Sequence, residues 1–148
     1  MLKDKVFTFI EIYCMKYWLV KSEPETYAWY DLVEKREASW DGIRNFQARN
    51  FMKEMAVGDR VLFYHSGKER AVVGIAAVSK ASYAEQGYEN EWVVVDLKAG
   101  KGLKKPVTLA MIKQNDKLHQ ILLVKQSRLS VMPLPMEAFQ EILNMSTT

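Results

Sequence analysis

Short apolar runs punctuated by polar turns dominate this chain, and long amphipathic stretches are few. Tyr17-Trp18-Leu19-Val20 is apolar and β-prone, and predicts a first buried strand. Ser22 and Glu25, three positions apart with Pro24 between them, have the spacing of a capping box, so the polar end of that strand is either a helix start or the rim of a site. A helix follows over Trp29–Glu34, with Trp29, Leu32 and Val33 inward. Trp40-Asp41-Gly42 reads as a turn, and Asn45 as the N-cap of a second helix. On that helix Phe46, Arg49 and Lys53 share one face, and Ala48, Phe51 and Met52 another.

Beyond it, Val57-Gly58-Asp59 turns the chain into a strand over Arg60–His65. Ser66-Gly67-Lys68-Glu69-Arg70 makes a hairpin-like turn back into Ala71–Val78, where Gly74 signals a close backbone approach or a bulge. Tyr83–Asn90 reads as a loop, Trp92–Leu97 as a strand, Ala99-Gly100-Lys101-Gly102 as a turn and Leu103–Val107 as a short extended piece. Leu109–Asn115 is helical, and His119–Lys125 a short helix or turn. Arg128–Met132 alternates like a strand closed by Pro133 and Pro135, and a last helix covers Met136–Leu143. Five or six strands without regular βαβ alternation predict an α+β fold: a small mixed β-barrel decorated with short helices.

Composition narrows the class. At 148 residues with 49% hydrophobic and 26% charged positions, the chain has enough material for one domain with a real core. Its net charge of +3 is compatible with a polyanionic partner without establishing one. The single cysteine, Cys14, excludes an internal disulfide and a cysteine-based zinc cage, and fits a reducing, cytoplasmic setting. His65 and His119 are too far apart for a helical metal pair, so neither a metal nor another cofactor is expected. No apolar run reaches the ~20 residues of a membrane span. Residues 1–14 read as a loosely attached extension, with Met15 an alternative start, and a monomer is the default expectation.

The densest chemistry lies in Trp40–Lys53, where an indole, carboxylate, guanidinium and amides crowd one helix start. Trp40 is either a core residue or a wall on which a flat ring stacks. Asn45 and Gln47 each offer an acceptor and two donors to a base edge, although Asn45 is also the expected cap. Asp41 suits an exocyclic amino group, or is an ordinary Asp-Gly turn residue. Arg44 suits a phosphate or a stack, or a surface ion pair.

Three segments carry a resemblance. Lys21-Ser22-Glu23-Pro24, Trp40–Phe51 and Leu62-Phe63-Tyr64-His65-Ser66 resemble, in this order, the signature segments of the EVE domain family. The similarity runs from Met15 to the C-terminal helix and takes in Arg128-Leu129-Ser130-Val131. It implies a PUA-like barrel related to YTH domains, and a non-catalytic reader of a modified base in DNA or RNA. The ligands it suggests are of the 5-methylcytosine or N6-methyladenine type. By that likeness Lys21 and Ser22 face the ligand, and Tyr64, His65 and Ser66 form a pocket wall with one or two hydrogen bonds. Arg49, Lys53, Lys68 and Arg70 are rim candidates for the nucleic-acid backbone, where solvated charge is the ordinary explanation. Two other classes stay open. One is a small ASCH-like amidohydrolase acting on modified nucleosides, with Lys21 beside Glu23 or Asp41. The other is a protein-interaction module.

Overall fold

The computed structural model describes residues 15–147. The expected extension at residues 1–14 lies outside them. Six strands form one mixed sheet in the order β2-β5-β4-β3-β1-β6. They are β1 (Tyr17–Ser22), β2 (Glu37–Trp40), β3 (Arg60–His65), β4 (Ala71–Ala84), β5 (Val93–Thr108) and β6 (Val131–Leu134). β1 runs parallel to β3, and every other neighbouring pair is antiparallel. The apolar runs of β1 and β3 are buried at nearly every position, as expected for strands covered on both faces.

Among the described residues, five helices decorate the sheet: α1 (Trp29–Lys35), α2 (Phe46–Glu54), α3 (Leu109–Gln114), α4 (Leu122–Lys125) and α5 (Met136–Thr147). α2 begins where its cap dictates, the Asn45 side chain accepting from the Ala48 N–H at 2.8 Å. It turns Ala48 and Met52 inward and touches β4, β5 and β6. It therefore links the β6 end of the sheet to β4 and β5 beyond β3, which gives a barrel-like body one contiguous core. Register shifts along the long β4–β5 pair bend the sheet toward that closure.

Four readings are corrected. Glu37–Trp40 is the edge strand β2, so Trp40 ends a strand rather than sitting in a turn. Residues 99–102 do not turn: β5 is continuous through them, and their glycines serve close packing. A Cβ on Gly100 would lie 2.6 Å from the Ile75 carbonyl oxygen. Val33 is exposed, and only Leu32 of α1 is fully buried. Ser22 caps nothing; its hydroxyl donates to the Tyr27 carbonyl, and α1 starts only at Trp29.

Candidate functional site

β1 ends at Ser22 and β2 ends at Trp40, and the loops leaving both strands surround an open cavity of about 590 Å³. Lys21, Ser22 and Glu23 line it from β1 and the residue beyond, Thr26 and Tyr27 from the following turn. Ala38, Ser39 and Trp40 line it from β2, with Asp41 and Ile43 beyond. The volume is within the range of small-molecule sites and accommodates a nucleoside.

Trp40 is held rather than free. Its ring meets Tyr27 and Phe63 edge-on, at 6.0 and 5.5 Å between centroids, and it is only 9% exposed. It is at once a member of the core and part of the cavity wall. Tyr27 was not anticipated from the sequence. Its hydroxyl is buried and has no hydrogen-bond partner among the described residues. Burial first, and then the Asp31 carboxylate, raise this phenol above its ordinary pKa, so it stays protonated and able to donate. The signal for Tyr27 was slight: an aromatic in a polar turn behind a buried strand.

Lys21 projects from β1 so that its ammonium donates to the Ser127 carbonyl at 2.7 Å and lies 5.8 Å from the centre of the Tyr64 ring. Burial holds its pKa below the usual lysine value. One N–H is taken by Ser127, and two remain. Glu23 stands at the rim against the β3–β4 turn, where Ser66 Oγ approaches its carboxylate at 3.5 Å. Cationic, anionic and hydroxyl groups thus face an aromatic wall.

The remaining candidates divide. Asn45 and Gln47 line a neighbouring groove with residues 125–129, outside the cavity. Tyr64 is 3% exposed and packs in the core, where burial raises its phenol pKa. His65 is also buried and does not line the cavity: Nδ1 pairs with Glu69 Oε1 at 2.8 Å, and Nε2 accepts the Trp29 N–H at 2.9 Å. With both nitrogens engaged, His65 anchors the start of α1. Arg44 grips the Glu85 carboxylate with both terminal nitrogens and lies over Tyr88. Arg49 covers Phe46 and donates to the Glu91 carbonyl at 3.0 Å. Phe46 stacks on Trp92 at 5.0 Å, so this cluster fastens the start of α2 to the β4–β5 connection. Lys53 is exposed on the last turn of α2, and Lys68 and Arg70 line a separate depression with Lys113.

Family comparison fits this arrangement. The model of the EVE domain matches residues 16–145. The chain belongs to the EVE domain family. Thymocyte nuclear protein 1 of Danio rerio is 31% identical, over 86% of this chain and 71% of that protein. A solved Rhodopseudomonas palustris structure is 40% identical, with a TM-score of 0.86 over 90% of this EVE domain and 94% of that chain. Human THYN1, solved in complex with 5-methylcytosine containing DNA, is 28% identical with a TM-score of 0.83, over 90% and 98% of the two chains. An ASCH protein of Zymomonas mobilis shares the fold at 16% identity and a TM-score of 0.55, over 88% of the EVE domain and 95% of that chain.

Proposed function

We propose that this EVE domain binds nucleic acid and reads a modified base in the cavity between the ends of β1 and β2. The observation that carries this reading is the aromatic-walled cavity itself, with Trp40 and Tyr27 beside Lys21, Ser39 and Asp41. A base leaving its stack regains about 1–3 kcal/mol on an aromatic surface, and the polar groups face its edge. Asp41 is an acceptor for an exocyclic amino group, and Lys21 is a donor for a carbonyl or ring-nitrogen acceptor. The complex of human THYN1 with 5-methylcytosine containing DNA supports a cytosine derivative as the first ligand to test. Burial of one methyl group contributes only about 0.8 kcal/mol, or roughly fourfold in affinity, so discrimination depends on the edge contacts as well.

The test is fluorescence anisotropy of labelled oligonucleotides carrying cytosine, 5-methylcytosine, 5-hydroxymethylcytosine or N6-methyladenine. One modified form is expected to bind more tightly than its parent. Asp41→Ala, at an exposed rim position, is expected to abolish that preference while leaving the melting temperature near wild type. Trp40→Ala is expected to weaken binding too, but it also opens the core, so Asp41→Ala is the deciding variant. Equal binding of all four oligonucleotides by the wild type would overturn the reading. In parallel, acetylated and methylated nucleosides incubated with the protein are expected to be recovered unchanged; a hydrolysis product would favour the amidohydrolase class instead.

A further inference from the structure

The groove beside the cavity differs from it in charge. About 330 Å³ in volume, it is lined by Asn45 and Gln47 on one side and residues 125–129 on the other. No carboxylate lines it, whereas Glu23 and Asp41 both line the cavity. Lys125 and Arg128 are exposed, and neither side chain has an ion pair or hydrogen bond among the described residues. Asn45 spends its side-chain oxygen on the cap of α2, which leaves its amide N–H groups as donors. The groove therefore presents two uncompensated cations and amide donors, the equipment for a phosphodiester.

Two connections join groove and cavity. Ile43 lines the cavity and Asn45 the groove, two residues apart on the same segment and so within about 7 Å along the chain. Lys21 lines the cavity while its ammonium is bonded to the carbonyl of Ser127, a groove residue.

We infer that the groove is a backbone subsite: Lys125 and Arg128, with Asn45 and Gln47, hold phosphates of the strand whose base enters the cavity. The inference rests on the base-reading proposal for its direction, because Glu23 and Asp41 offset the cavity's two lysines, Lys21 and Lys35, whereas no carboxylate lining the groove offsets Lys125 and Arg128. The groove supplies affinity irrespective of sequence, and the cavity selects the base.

The experiment measures anisotropy of a short single-stranded oligonucleotide with one 5-methylcytosine, and of its unmodified counterpart, over a salt series. Three proteins are compared: wild type, Lys125→Glu with Arg128→Glu, and Lys101→Glu with Lys104→Glu. The last pair makes the same change in net charge at exposed positions that line neither cavity nor groove. The groove variant is expected to bind both oligonucleotides at least about tenfold more weakly. Its salt slope is expected to fall by about 1.4, at roughly 0.7 per lost single-strand phosphate contact. Its affinity for free 5-methyldeoxycytidine, followed by NMR, is expected to stay at the wild-type value. An unchanged salt slope, or an equal loss in the Lys101/Lys104 variant, would overturn the groove assignment. If the wild type does not distinguish the two oligonucleotides but the groove variant alone still loses affinity and slope, base reading fails and the groove stands. No binding of either oligonucleotide to the wild type would overturn both.

Discussion

Asp59 accepts three hydrogen bonds at once: from the Trp18 indole at 2.9 Å, the Ala56 N–H at 3.0 Å and the Lys16 N–H at 3.2 Å. It is 3% exposed and Trp18 1%, so the indole N–H in particular depends on this carboxyl rather than on water. Asp59→Ala is expected to cost about 3 kcal/mol, because it strands the buried Trp18 indole N–H and removes two further hydrogen bonds. Thermal denaturation checks this, and Trp18→Phe is expected to cost less in the Asp59→Ala background than in wild type. A loss under about 1 kcal/mol would show that water replaces the carboxyl. Nothing in the residue order announced this role. Val57-Gly58-Asp59 has the composition of any surface turn, and the partner indole lies forty-one positions earlier. Asn45 was legible for the opposite reason: its partner, the Ala48 N–H, is three residues away, and local hydrogen bonds leave local signatures.

At the scale of elements, the docking of α1 shows how a helix of seven residues is placed. Its first residue, Trp29, donates its N–H to His65, and its ring lies over the paired strand positions Gly74 and Gly102. A Cβ on Gly74 would stand 2.3 Å from that ring, which is itself held edge-on against Phe63 at 5.3 Å. Gly74→Ala is therefore expected to destabilise by roughly 1–3 kcal/mol through overpacking. Urea denaturation is the check: the loss should shrink when Trp29→Ala is combined with it, and additive losses would refute the seat. Gly74 was readable as a close approach because a glycine inside a β-prone run has few other uses. Glu37-Ala38-Ser39-Trp40 was missed because its polar–apolar alternation lasts only four residues and runs straight into the Asp-Gly turn, with which Trp40 was read.

The β4–β5 connection provides a second element-level prediction. Glu85 takes the Arg44 guanidinium and the Gly42 N–H, and the Arg44 hydrogen bond is the main reason its pKa lies below the ordinary glutamate value. Because the folded value is the lower one, this fastening is complete above the ordinary range near ~4.3 and is lost as pH falls through the folded value. The Gly42 amide resonance is expected to titrate with a midpoint below that range in wild type and not at all in Glu85→Gln. A midpoint at or above it would refute the fastening.

Across the whole molecule, local order and long-range order were unequally visible. The α+β class and most strands followed from apolar runs and turn chemistry. The division of the expected ligand residues between a cavity, a groove and the core did not. Trp40 and Asn45 are five positions apart, yet a strand ends at one and a helix is capped by the other, so they line different spaces. Likewise, His65 and Ser66 are neighbours, but β3 ends between them, which leaves one in the interior and the other at the rim.

The pairing of β1 with both β3 and β6 joins residues 17–20 to residues 131–134. During synthesis, then, Trp18, Leu19 and Val20 wait for a neighbour translated more than about a hundred residues later. At about 5–20 residues per second, β1 keeps the edge that β6 will cover unpaired for on the order of ten seconds. Such a segment is a natural client for chaperones that shield nascent apolar strands, and the native sheet is completed only once residues 131–134 are free to pair.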